Sequence, residues 1–295
     1  MPFSSRRIHL LTGKGGVGRT TVTAALARAT AHQGRRVLLL EIGDPDEGAS
    51  PLARLFGREH LPIEPTALEP GLFGARLWAP VGHEGFLKAH LPGGALISAA
   101  LRSKALARFL VAAPSFHEMG LFYHLLMLLE AKPAWDQVIL DMPATGHALA
   151  LTGLPEVLLR LIPRGPIAKA MRRGQAYMND PTQADAWVVA LPEQLPVTEA
   201  IELMAGLRAT GMTVGGVLLN RMPADPFNAT EQVELAGFMA GRAVHGEVAW
   251  GRLVDARIAA ARLRAEEADL PILTLPEVPA EPDHALVGPL CEVLA

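Results

Sequence analysis

The chain has 295 residues, half of them hydrophobic and 19% charged, with a net charge of −3. That composition can fill a sizeable core, excludes disorder as the main state, and leaves no global basic field to draw nucleic acid or anionic membrane. A single cysteine, Cys291, excludes an internal disulfide framework and any cysteine-rich metal site within one chain.

In chain order, Ile8, Leu10 and Leu11 begin a short apolar strand. A glycine-rich turn follows, and an Ala/Leu-rich helix fits 20–33 with Gly34 as its C-cap. Residues 37–40 form a continuous apolar run, as a buried parallel strand requires. Residues 43–83 are dense in Gly, Pro and Glu and read as loops and short pieces. From 84 to about 131 the pattern turns helical, with Ile97, Leu101, Ala105 and Phe109 at four-residue steps and a run from Leu121 to Leu129. This predicts a helical insertion between two strands.

Residues 135–140 predict the next strand, ending in Asp141. Leu154, Val157, Leu158, Leu161 and Ile162 mark one face of an amphipathic helix. Residues 163–181, basic and punctuated by Pro and Gly, read as a mobile segment. Strands follow at 186–191, 214–219 and 271–275, with helices at 198–210 and 228–264. Strands alternating with helices predict an α/β fold, a three-layer αβα arrangement with a doubly wound, mainly parallel sheet. The expectation is one domain over 1–295 carrying a helical subdomain at about 84–131.

No 7–15-residue apolar region precedes a small-residue cleavage site near the N-terminus, and residues 121–129 are too few to span a bilayer. A cytoplasmic protein without stable membrane insertion is expected.

Gly13, Lys14, Gly15, Gly16, Val17, Gly18, Arg19 and Thr20 fit the phosphate-loop pattern G-x-x-x-x-G-K-[ST], except that Arg19 stands where lysine is usual. Glycines let backbone N–H groups turn inward on phosphate oxygens, and the following helix adds its positive end. Thr20 would offer a hydroxyl to Mg²⁺. Arginines outnumber lysines by 22 to 5, so Arg19 reads either as drift in an Arg-rich chain or as a change that slows hydrolysis.

Lys14, directly after the first glycine, makes this loop resemble the deviant Walker A signature of dimeric P-loop ATPases of the SIMIBI class. That class includes the ParA and MinD proteins, nitrogenase iron protein, the arsenite-pump ATPase ArsA and the tail-anchored-protein targeting (GET-type) ATPases. The resemblance implies ATP and Mg²⁺ as cofactors and a lysine, Lys14, acting on nucleotide held by a partner subunit. Taken alone, Lys14 could also be a solvated surface lysine.

Further segments narrow the resemblance. Asp141 ends an apolar strand, where such ATPases hold Mg²⁺ through water. It is followed by Met142, Pro143, Ala144, Thr145, Gly146 and His147, with Leu149, Leu151 and Leu154-Pro155 beyond. This stretch closely resembles the second switch of the ArsA and tail-anchored-targeting ATPases, which implies that Pro143, Thr145, Gly146 and His147 sense the γ-phosphate. Asp44-Pro45 resembles the first switch, whose Asp positions the attacking water. A one-residue insertion there leaves Asp46 as the alternative. Pro192-Glu193 with the Pro196–Glu199 helix start, and Asn220 at a strand end, resemble later family segments. Asn220 would read adenine, and Thr21 would join the nucleotide-binding set.

The resemblance implies a dimeric ATPase, homo- or heteromeric with a related ATPase, whose switch loops couple nucleotide state to a helical region that binds a client or partner. Phe109, Phe116, Met119, Phe122 and Met127 could line a groove for a hydrophobic protein client, or simply fill the core. One cysteine speaks against thiol-bound metalloid, and the interface zinc motif of the eukaryotic targeting ATPases is missing. The alternative function is a non-hydrolysing, nucleotide-dependent subunit paired with a related ATPase. A partitioning ATPase of the ParA or MinD type would need a basic surface or basic C-terminal membrane helix, and residues 283–295 contain no Lys or Arg. No nucleic-acid partner is expected.

Overall fold

A computed structural model describes residues 3, 6–43, 50–90, 116–143, 145–242, 244–279 and 283–295. An eight-stranded sheet runs in the order β3-β4-β2-β5-β1-β6-β7-β8. Its strands are β1 (Ile8–Gly13), β2 (Val37–Ile42), β3 (Thr66–Glu69), β4 (Leu72–Leu77), β5 (Gln137–Asp141), β6 (Ala184–Ala190), β7 (Val214–Met222) and β8 (Ile272–Pro276). Among the described residues only the β3–β4 pair is antiparallel.

The central strands are buried on both faces, which is why they read as continuous apolar runs. Side chains alternate between two cores. Ile8, Leu10, Leu38, Leu40, Val138, Leu140 and Val188 fill one, and Leu11, Leu39, Ile139, Trp187 and Val189 the other. The first core is covered by α4 (Phe116–Glu130), α5 (Thr145–Leu161), α6 (Pro166–Met178), α7 (Gln194–Ala209) and α9 (Glu247–Glu266). The second is covered by α1 (Arg19–His32), α2 (Pro51–Arg54) and α10 (Asp283–Leu294). Helices thus lie on both faces of the sheet, the expected three layers.

Several sequence expectations need correction. Residues 43–83 contain β3, β4 and the start of α3 (Ala79–His90), not only loops. Pro70-Gly71 is the turn between β3 and β4, a dipeptide that signals a turn, and β4 inserts beside β2. Residues 163–181 are mostly the helix α6, whose Ala168, Ala170, Met171, Gly174 and Met178 are buried. The helical stretch 228–264 divides into α8 (Ala229–Met239) and α9. The C-terminal α10 had no helical expectation, yet it seals α1 with Val287, Leu290 and Leu294. In the expected insert, α3 and α4 are helical, and Phe109 with the rest of 91–115 lies outside the described residues. Of the groove candidates, Met119 and Phe122 belong to the core, Phe116 packs against it, and Met127 is exposed.

The α3–α4 contact rests on glycines. A Cβ on Gly82 would lie 1.8 Å from the Gly120 carbonyl oxygen, and one on Gly120 would lie 2.5 Å from the Ala79 carbonyl oxygen. These are backbone atoms, so the two helices must part to accept a methyl. Gly82→Ala is expected to destabilise the fold by about 3 kcal/mol, lowering the melting temperature by roughly 6 °C or more. Gly237 in α8 meets nothing within 4 Å, so Gly237→Ala should be neutral or slightly stabilising. Equal melting temperatures for the two variants would refute the close approach.

The same contact buries histidines. The Trp78 backbone N–H donates to His124 Nδ1 at 3.0 Å, which requires a neutral ring. Burial holds the His124 pKa down to about 4 against an ordinary 6.5, and burial also lowers His83. Below pH 6.5 the unfolded chain takes up a proton that the folded chain refuses until about pH 4. Stability present at pH 7 is therefore lost as pH falls through this window, by about 2 kcal/mol at pH 5 for His124 alone. Urea denaturation at pH 7 and pH 5 reads this loss, and His124→Gln should flatten it.

Candidate functional site

The glycine-rich loop leaves the C-terminal end of β1, where the sheet order reverses: β5 lies on one side of β1 and β6 on the other. Such a switch point is where open α/β sheets leave a crevice for ligands. Gly16 and Gly18 adopt left-handed φ values of 87° and 82°, which only glycine takes at little cost. Gly18 is doubly constrained, because a Cβ there would lie 2.5 Å from Asn220 Nδ2. The loop delivers Arg19 and Thr20 to the first turn of α1, and no side chain caps that turn. Its backbone N–H groups and dipole therefore favour an anion.

Asp141 closes β5 beside this turn. Thr20 Oγ1 donates to its Oδ2 at 2.8 Å, Arg19 Nε to its Oδ1 at 2.8 Å, and Thr23 Oγ1 to its Oδ1 at 3.2 Å. The carboxylate is only 8% exposed. Burial pushes its pKa up, and the Arg19 guanidinium and Thr20 hydroxyl oppose that shift. A cavity of about 210 Å³ opens here, walled by Arg19, Thr20, Glu41, Asp141, Met142 and Pro143 among others. Hydroxyl and carboxylate oxygens converging on a cavity wall suit a hard cation such as Mg²⁺. That ion is held by one or two carboxylates and substrate phosphates rather than by an all-protein cage. Among the described residues no group of three or more His, Cys, Asp or Glu makes such a cage.

On the opposite side of the loop, Asn220 ends the buried part of β7, and its Nδ2 donates to the Val17 carbonyl oxygen at 2.9 Å. Asn220 therefore braces the loop from below. Gly18, Thr21, Asn220, Arg221, Pro276, Val278, Leu286 and Leu290 line a second, smaller cleft of about 40 Å³. It is apolar on the β8–α10 side and polar on the loop side.

Lys14 does not join the Asp141 cluster. Its side chain is 56% exposed and its Nζ pairs with Glu199 Oε1 of α7 at 2.6 Å. Pro143 is on the cavity wall. Thr145, Gly146 and His147 open α5, directly after the cavity-lining segment. Asp44, Asp46 and Ala144 lie outside the described residues.

Thr23, Glu41 and Ser50 escaped the motif reading, and Glu199 entered it only as part of a family segment, with no pairing to Lys14. Thr23 and Glu199 hold Asp141 and Lys14, and no pattern in the sequence pairs them. Glu41 lines the same cavity, beside Asp141 on the neighbouring strand, and Ser50 Oγ donates to its Oε2. A signal for Glu41 existed: a carboxylate directly after an apolar run, as at Asp141, although Ile42 rather than Glu41 is the last residue of β2.

The family model described as "Anion-transporting ATPase" matches residues 6–165. The ATPase BagA of Mycobacterium tuberculosis is 29% identical over 229 residues, 74% of this chain and 66% of its own length. The arsenical pump-driving ATPase of Escherichia coli is 28% identical over 234 residues, 70% of this chain and 39% of its own length. The ATPase ASNA1 homolog of Trypanosoma cruzi is 29% identical over 169 residues, 50% of this chain and 45% of its own. Each of these matches covers 66% or less of the relative's length.

Proposed function

The chain belongs to the anion-transporting ATPase family, and from that premise we propose that it binds ATP with Mg²⁺ and hydrolyses it to ADP and phosphate. The observation that carries this reading is the cluster of Thr20, Arg19 and Asp141 around a cavity at the open first turn of α1. Backbone N–H groups of residues 13–21 receive the phosphates, and Arg19 supplies the fixed positive charge. Thr20 and Asp141 are the residues that hold Mg²⁺, which when bound neutralises charge on the β- and γ-phosphates. Asp44, or Asp46 in its place, positions the attacking water. Asn220 keeps its amide oxygen for the adenine edge while its nitrogen holds the loop.

The assembly is a dimer, with itself or with a related ATPase, in which Lys14 leaves Glu199 and reaches nucleotide held by the partner. Residues 43–48 and 141–147 are the switches that relay nucleotide state to the helical region. No helix among the described residues is long and apolar enough to cross a membrane, which suits a working place in the cytoplasm. A second reading has one observation in its favour. Arg19 is tied to Asp141, so a chain that binds ATP and keeps it would serve as the regulatory member of a heterodimer.

The test is binding of a fluorescent ATP analogue alongside phosphate release by the purified chain. Binding with turnover supports the enzyme reading. Binding without turnover supports the regulatory one, and no binding with or without Mg²⁺ sinks both.

A further inference from the structure

The cavity has a second acidic wall. Glu41, next to last in β2, is the register partner of Asp141, the last residue of β5, across the parallel β2–β5 pair. Leu39 and Ile139 point into the core beneath α1, so residues two further along each strand point to the same face. Glu41 and Asp141 therefore stand side by side on the α1 face of adjacent strands about 4.8 Å apart. Both line the cavity that Thr20 faces.

The Glu41 side chain is also fixed in place. It is 7% exposed, and its Oε2 accepts from the Ser50 hydroxyl. Ser50 in turn accepts from the Ala53 backbone N–H at the start of α2. Arg76 of β4 is the register partner of Glu41 on the far side. The sheet end thus carries Arg76, Glu41 and Asp141 in a row, with Arg19 above Asp141. Glu41 is a buried carboxylate on the cavity wall, oriented by a hydroxyl.

We propose that Glu41 is a positioning residue of the metal edge: it accepts hydrogen bonds from water on the Mg²⁺ that Thr20 and Asp141 hold, and so raises metal affinity. This rests on reading the cavity as a Mg²⁺-nucleotide site. Asp141 alone is one carboxylate partly committed to Arg19, and Glu41 supplies a second acceptor from the neighbouring strand. Outer partners of this kind typically carry about ten- to a hundredfold of metal affinity.

The experiment uses the full chain and reads binding rather than turnover. Binding of a fluorescent ATP analogue is followed while free Mg²⁺ is titrated, for wild type, Glu41→Gln and Glu41→Asp. Gln keeps the shape and an oxygen for Ser50, and Asp keeps the charge but withdraws it. A melting curve for each variant checks folding, and Asp stands in if Gln does not fold. The expected result is about a tenfold or greater rise in half-saturating Mg²⁺, with nucleotide affinity at saturating Mg²⁺ close to wild type. Unchanged half-saturation in folded variants overturns the proposal, even where turnover falls, because Glu41 would then act on the attacking water or on packing. If wild type binds nucleotide with no response to Mg²⁺, or binds none, the reading of the whole site fails and Glu41 goes with it.

Discussion

Lys14→Ala is expected to lower ATP turnover by about a thousandfold while leaving folding and nucleotide binding near wild type. A positive side chain reaching the transferring phosphoryl group from a partner is worth roughly 10³–10⁵ in rate. The side chain is more than half exposed and makes its ion pair with Glu199 at the surface, so its removal opens no cavity in the core. That pair is also the objection to be weighed, since Lys14 is already occupied within its own subunit. Magnitudes decide the matter. An exposed ion pair is worth about 0–1 kcal/mol, so leaving Glu199 slows the reaction by about fivefold at most, far less than the gain at the phosphate. Glu199→Gln should therefore change turnover only a few-fold, and upward. Steady-state kinetics with a parallel binding titration separate the two variants. Turnover of Lys14→Ala within a few-fold of wild type would remove Lys14 from the chemistry and leave it a surface lysine.

What the sequence made legible follows from how each element is stabilised. Strands β1, β2, β5, β6 and β7 are buried on both faces, so each announces itself as an apolar run. The phosphate loop is local in sequence, and its spacing alone predicts a turn from strand to helix. Strand β4 escaped because Leu72, Ala75 and Leu77 are interrupted by Gly74 and Arg76, and its burial depends on pairing with β2. Helix α6 escaped because Gly165 and Pro166 read as loop punctuation, although Pro is welcome in a first helical turn. Helix α10 is recognisable only through its partner, since its buried face exists to cover α1.

The site divides in the same way. Thr20 and Asp141 were each visible as the end of a motif, and the fold contributed their meeting at 2.8 Å. Pairings that depend on tertiary distance, Lys14 with Glu199 and Glu41 with Ser50, had no local signature. Asn220 was visible as a strand-end amide, but its hold on the Val17 carbonyl, 203 positions away, comes only from β7 lying two strands from β1.

Arg19→Lys is the second large effect, expected to raise turnover by about tenfold or more with ATP affinity changed little. The guanidinium Nε sits 2.8 Å from Asp141 Oδ1, with side chains 18% and 8% exposed. A partly buried pair of this kind is costly to break, because separation leaves a desolvated carboxylate behind. On the proposed reading the same cation would serve the β- and γ-phosphates during hydrolysis and the same carboxylate would stand beside Mg²⁺, so the pair would have to loosen on every cycle. Arginine resists this: its planar fork is anchored through Nε close to the backbone, which limits how far its charge can swing. Lysine carries a single charge on a flexible stem, and its Nζ can pass from carboxylate to phosphate without leaving a fixed hydrogen-bonding plane. A tenfold gain corresponds to about 1.4 kcal/mol, well within what one such hydrogen bond supplies. Single-turnover phosphate release on the two proteins reads the chemical step directly. If wild type and Arg19→Lys release phosphate at the same rate, the Arg19–Asp141 bond is no obstacle, arginine serves this loop as well as lysine, and the regulatory reading loses its one support.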